Sequence, residues 1–227
     1  MKQATFDIPV FVYTASETAS ILKVNEKTVR RLIDRGLLKK SKAIRHIRIT
    51  RQSLDEFLAH WRLLLAKFKV DDVLWMGDKF DSGKPEHACH FKTAVEWLGE
   101  NTVPAPFICP ASFKNNSHAR SNDNVLARRF LVVESDVLTK DQVGAVFKWL
   151  QADAKQELVA IVDTAGKSLH GWFRYPADDQ VDHLKTILPA YGCDPKLFTA
   201  SQPVRLPGAL RGEKHQKLVY LSNGGAA

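Results

Sequence analysis

Two acids separated by one residue close an apolar run in RRFLVVESDVL, residues 128–138. Phe130, Leu131, Val132 and Val133 favour extended backbone. Residues two apart in a strand share a face, so Glu134 and Asp136 would project together. Two carboxylates that close repel unless a cation lies between them. Oxygen donors of this kind suit a hard divalent ion, Mg²⁺ or Mn²⁺. Further along, TAGKSLHGWF (164–173) sets Ser168 and His170 two apart, with Lys167 just before them. A hydroxyl, an imidazole and an ammonium beside a metal fit the phosphates of a nucleotide. In QPVRLPGALRGEK (202–214), Arg205 precedes a Pro-Gly turn that can hold a guanidinium against phosphate, and Arg211 and Lys214 extend the basic patch.

These residues need a scaffold, and the pattern from Val70 onward supplies one. Extended segments are predicted at 72–76, 105–110, 128–136, 157–166 and 167–176, with two more in 202–211 and 215–221. Helices are predicted at 91–100, 139–153 and 177–192. Thr139 caps the second of these, with Gln142 completing a capping box, and Asp178 or Asp179 caps the third. Strands interleaved with helices in this order predict an α+β domain, one twisted, mostly antiparallel sheet with helices packed on it.

The chain has 227 residues, of which 44% are hydrophobic, enough for one large domain or two small ones. No apolar run approaches the ~18 residues of a membrane span and no signal pattern opens the chain. Three cysteines fit a reduced cytoplasm better than a disulfide framework. The spacing in HACH (87–90) is too close for a standard structural zinc site. Trp75, Trp97, Trp149 and Trp172 read as core residues.

Charge divides the chain. Residues 1–69 carry 15 Lys and Arg against 6 Asp and Glu, whereas residues 70–227 carry 18 against 19. A basic first third joined to a neutral remainder predicts a nucleic-acid-binding domain at 1–69, with a linker helix, ahead of a different domain at 70–227. Thr14 or Ser16 can cap a first helix with Ala19, Ile21 and Leu22 on its buried side. KVNEK is a tight turn, and Asn25 can cap a second helix carrying Val29, Leu32 and Ile33, ended by Gly36. LLKKSKAIRHIRIT (37–50) alternates like a basic hairpin, and a third helix starts near Ser53 with Leu54, Phe57, Leu58 and Trp61. Lys27, Thr28, Arg30, Arg31 and Arg35 on the second helix, and Lys39, Lys40, Lys42, Arg45, His46 and Arg48 on the hairpin, would face DNA groove and backbone. Residues 12–60 resemble an excisionase/MerR-type winged helix-turn-helix.

Residues 72–221 resemble the archaeo-eukaryotic-type primases, including the small plasmid and phage primase-polymerases. The resemblance rests on an acid-x-acid strand (Glu134-Ser135-Asp136), a Ser-x-His strand (Ser168-Leu169-His170) and an R-L-P-G stretch (Arg205 to Gly208), in that order. It implies an RRM-like catalytic sheet, two Mg²⁺ or Mn²⁺ ions, and template-directed joining of nucleoside triphosphates on single-stranded DNA. Glu134, Asp136 and His170 would be catalytic. Lys167, Ser168, Arg205 and Arg211 would hold the triphosphate, with Arg120 from the basic loop 113–129, where Asn115 and Asn122 also lie. A third metal acid is usual in the family; Asp194 is one candidate and Asp163 the other. The expected protein is a cytoplasmic replication factor of a mobile element, with duplex DNA, a single-stranded template, nucleotides and a separate replicative helicase as partners. Two other readings use the same residues: a non-catalytic DNA-binding regulator or origin-recognition factor, and a metal-dependent nuclease.

Overall fold

A computed structural model describes residues 12–22, 25–34, 38–41, 46–81, 83–100 and 103–223. Lys23 and Val24 of the predicted turn, Arg35, Gly36, Lys42 and Arg45 lie outside the described residues, as does the side chain of Leu58. The chain divides into two units, Met1–Ala59 and His60–Ala227.

In the first unit, β1 (Val12–Thr14) leads into α1 (Ala15–Leu22), followed by α2 (Glu26–Asp34), β2 (Arg48–Thr50) and the start of α3 (Arg51–Leu65). Thr14, not Ser16, caps α1: its hydroxyl accepts from the Glu17 amide and the Glu17 carboxylate accepts from the Thr14 amide, a capping box. The buried side of α1 is Ala15, Thr18 and Ala19; Ile21 and Leu22 are half-buried. Asn25 caps α2 by accepting from the Thr28 amide at 2.8 Å, and Val29 and Leu32 are fully buried. The predicted hairpin is present where described, because residues 39–41 pair with 48–50. Its inner strand also pairs antiparallel with β1, Tyr13 opposite Ile49, a strand the sequence reading missed. Thr50 accepts from the Ser53 amide, which starts α3 at Arg51, two residues before the predicted point.

The second unit begins within α3. Trp61, Leu64, Leu65 and Phe68 are buried in its core, so residues 60–69, read from sequence as part of the first domain, belong here. Next come β3 (Val73–Gly77), β4 (Phe91–Thr93), α4 (Ala94–Leu98), β5 (Phe107–Ile108), β6 (Ala111–Phe113), β7 (Val125–Arg128) and β8 (Phe130–Val133). The chain continues through α5 (Lys140–Ala152), β9 (Leu158–Asp163), β10 (Leu169–Arg174), α6 (Asp178–Ala190), β11 (Val204–Arg205), β12 (Leu210–Arg211), β13 (Lys214–His215) and β14 (Lys217–Leu221). The helix predicted at 91–100 is shorter, since its first three residues pair with β3 and a Thr93–Glu96 capping box starts α4. Thr139 and Gln142 form the expected capping box at α5. Ala177 occupies the cap position of α6 without a side-chain hydrogen bond, which corrects the reading of Asp178 or Asp179 as the cap.

The single predicted sheet is two main sheets. One runs β11-β5-β3-β6-β7, with β4 also on β3; the other runs β14-β9-β10-β8, antiparallel throughout. In the latter, β10 lies between β8 and β9, making β8-α5-β9 a split β-α-β unit. Its closing strand β14 pairs with β9, whereas an RRM-like order would set it beside β8.

Alternation explains why FLVV is apolar without a break. Phe130 and Val132 pack with Leu74, Met76 and Ile108 of the first sheet, and Leu131 and Val133 pack with α5 and α6. A strand covered on both faces buries every side chain, worth roughly 1.5–3 kcal/mol for each residue. Gly171 in β10 serves the same packing: a Cβ there would lie 2.6 Å from ring carbons of Phe147 on α5. Gly171→Ala is expected to destabilise the fold by about 1–3 kcal/mol through overpacking, read as a lower denaturant midpoint at unchanged slope. An unchanged midpoint would show that the ring moves aside freely.

Candidate functional site

Beyond Val133 the next inter-sheet position falls to Glu134, and on β10 the same face carries His170, two residues before the buried Trp172. The strand stops at Val133, so the acids do not sit on it as predicted; they lie on the irregular segment just beyond its end, Asp136 at a bend. Ser135 fixes that segment. It is fully buried. Its amide donates to Ser168 Oγ at 3.3 Å, and its hydroxyl donates to the Gly192 carbonyl at 2.5 Å while accepting from the amides of Val137 and Leu138. The Asp194 amide donates to the Glu134 carbonyl at 2.9 Å. With Ser135 held inward, Glu134 and Asp136 both line one cavity of about 540 Å³.

His170 Nε2 lies 2.6 Å from Glu134 Oε2. The ring is 4% exposed, and its Nδ1 has no partner among the described residues. Burial alone pushes the Glu134 carboxyl upward. The His170 hydrogen bond and charge, with the charges of Arg205 and Arg211, outweigh it and hold the group below the usual carboxylate range. Glu134 therefore stays ionised at neutral pH.

Cations line the same cavity. Lys167, Arg205, Arg211 and Lys214 were expected there; Lys79 and Lys196 were not read from the sequence. Arg205 lies in the strand pair β11–β5 opposite Phe107, and its guanidinium stacks on that ring at 4.1 Å. Burial, then the charge of Arg211, lowers its pKa, while Asp78 and Glu134 act in the opposite sense; arginine keeps its charge under such shifts. The Pro-Gly turn behind it is real: the Ala209 amide returns to the Leu206 carbonyl and Gly208 takes φ +91°, the signature of a type II turn. Gly166 lets Arg211 approach, since a Cβ there would lie 2.2 Å from Nη1.

Other expected residues fall elsewhere. Arg120 does not line the cavity: its guanidinium donates to the carbonyls of Ser201 (2.9 Å) and Lys79 (2.7 Å) and stacks on Trp75. Asn122 accepts from the amide and hydroxyl of Ser201, and Asn115 lines a different hollow. Ser168 reaches the cavity, but its hydroxyl accepts from the Ser135 amide, so it positions the acids. Asp163 is paired with Lys140 at 2.7 Å and is not in the cavity wall; Asp194 is, with one oxygen accepting from the Lys196 amide. Arg128 and Arg129 are not partners of the acid pair. The first donates to the carbonyls of Leu197 and Phe198, and the second makes a bidentate pair with the buried Asp72. Trp75, Trp97 and Trp172 are buried, and Trp149 is half-buried against Tyr191.

Among the described residues no three His, Cys, Asp or Glu side chains converge as a metal cluster. Two carboxylates suffice for Mg²⁺, which keeps several waters and takes further oxygens from substrate phosphates. Glu134 and Asp136 fit that donor set.

In the first unit, Lys27, Arg30, Lys39, Lys40 and His46 are exposed, and Thr28, Arg31 and Arg48 are half-buried. Arg30, His46 and Arg48 line one hollow together with Glu26, and Arg30 lies 3.7 Å from the Glu26 carboxylate. The Thr28 hydroxyl donates to Asn25, which ties it to the cap.

A family described as a helix-turn-helix domain matches residues 12–62. The first domain is accordingly a DNA-binding helix-turn-helix. No curated protein and no solved structure matches the chain. No helix among the described residues is long and apolar enough to cross a membrane.

Proposed function

We propose that the second domain is a small metal-dependent nucleotidyltransferase of the primase-polymerase type, brought to its template by the DNA-binding first domain. The observation that carries this is one cavity lined by Glu134 and Asp136, just beyond the end of β8, by His170 of β10, and by Arg205 of β11 and Lys79 from the turn after β3. Glu134 and Asp136 would hold Mg²⁺ or Mn²⁺, which lowers the pKa of a bound hydroxyl and offsets charge on the leaving group. His170 orients Glu134 through its 2.6 Å contact. Lys167, Arg205 and Arg211 bind the triphosphate. The primer 3′-hydroxyl bonds to the α-phosphorus, the bond to the β-phosphate breaks, pyrophosphate leaves and a proton passes to solvent. A replication role on a mobile element, with a separate helicase, follows from the same reading.

Arg205→Ala is expected to weaken nucleotide binding about thirtyfold, the loss of a charge-assisted contact worth about 2 kcal/mol. Calorimetric titration with nucleoside triphosphate and Mg²⁺ reads it, and unchanged affinity would remove Arg205 from the triphosphate site. A second reading, a DNA-binding regulator that holds nucleotide without turnover, draws on the lack of a three-residue metal cluster among the described residues. It predicts the same loss of binding with no incorporation in the wild type. A nuclease would cut DNA with metal and without nucleotide.

A further inference from the structure

The turn after β3 holds Phe80 out into solvent at 84% exposure, the most exposed of the large hydrophobic side chains among the described residues. Exposed rings on slack loops are common and need no function, but this turn is braced. The Asp81 amide donates to the Asp78 carbonyl at 3.0 Å, and the Asp78 amide to Asp81 Oδ2 at 2.6 Å. The buried Trp75 donates its indole N–H to the Asp81 carbonyl at 3.0 Å. Arg120, anchored on Ser201 and stacked on Trp75, grips the Lys79 carbonyl. The ring is thus mounted on a fixed turn rather than folded down onto apolar surface.

Its neighbours are charged. Lys79 sits 5.9 Å over the ring centroid and also lines the cavity of the acid pair. Asp78 and Asp81 flank the turn. An apolar patch one ring wide with charges around it does not suit a protein interface, which needs a contiguous apolar centre. It suits a flat, unpaired base with its phosphate against an adjacent cation, the pairing used by single-strand binding surfaces.

We propose that Phe80 is a stacking platform for an unpaired base of a single-stranded nucleic acid entering the cavity, with Lys79 holding the neighbouring phosphate. This rests on reading the cavity as a nucleotide site and adds where the strand is held. Arg120, expected from sequence to touch nucleotide, acts instead by fixing the turn.

The test uses the full chain with the first domain saturated by unlabelled duplex, and fluorescence anisotropy of a labelled oligothymidylate or an abasic strand of equal length. Phe80→Ala should weaken oligothymidylate binding about tenfold and leave the abasic strand unchanged, and Phe80→Trp should restore wild-type affinity. Unchanged oligothymidylate binding, an equal loss with the abasic strand, or a loss confined to free thymidine triphosphate would each overturn the proposal. None of these readouts needs catalysis. A chain with Phe80-dependent binding and no incorporation would remove the transferase reading and keep the platform; incorporation with Phe80-independent strand binding would do the reverse.

Discussion

Asp136→Ala should cut template-directed nucleotide incorporation by at least about a hundredfold, since under the proposed function it removes a direct metal ligand, where even supporting residues matter ten- to hundredfold. Asp136 is exposed to the cavity and has no hydrogen bond or ion pair among the described residues. The fold therefore does not depend on it, and thermal unfolding should be unchanged. Ser135, one residue away, is the opposite case, because its hydroxyl and amide pin the whole segment. Duplex binding by Asp136→Ala should equal that of the wild type, since the substitution lies outside the helix-turn-helix at 12–62. A variant that incorporates nucleotide at the wild-type rate would remove the acid pair from the chemistry. One that loses duplex binding as well would point to unfolding instead.

Duplex affinity should fall roughly 10²–10³-fold between 50 and 200 mM salt, the loss expected for about five neutralised phosphates. Lys27, Arg30, Lys39 and Lys40 are exposed and Arg48 half-exposed on the first domain, which supplies that number of cations. Replacing Lys27 or Lys39 by Ala should weaken binding and reduce the salt slope by about one. Arg205→Ala should leave that slope unchanged, because it belongs to the other domain. Arg30 is a weaker candidate than its exposure suggests, since Glu26 lies 3.7 Å from it and must be displaced by phosphate. A shallow slope in the wild type would mean that the basic residues do not meet the duplex.

What could be read from sequence was local. Asn25, Thr139 and Gln142 cap their helices by hydrogen bonds within three residues, and such spacing is visible in the chain itself. The unbroken apolar run Phe130 to Val133 was legible as a buried strand for the same reason, and all four side chains are buried. Sheet membership was not local. β5 pairs with β11 across nearly a hundred residues, so nothing near Phe107 announced that it would carry Arg205 into the site. Two sheets were read as one because strand number is legible and strand partner is not. A basic residue in a polar loop looks the same in sequence whether its guanidinium meets phosphate or backbone carbonyls, and Arg120 donates to the carbonyls of Ser201 and Lys79. Ser135 was passed over as the variable residue between two acids, although its burial is what turns them toward the cavity.

The central claim is that the cavity joins nucleotides. The direct measurement is incorporation of labelled nucleoside triphosphates by the full chain on single-stranded DNA, with Mg²⁺ or Mn²⁺ and with chelator as control. Metal-dependent products that lengthen with time and follow the template sequence are the predicted result. Binding of DNA and nucleotide with no product under either ion would contradict it and leave the chain a DNA-binding regulator.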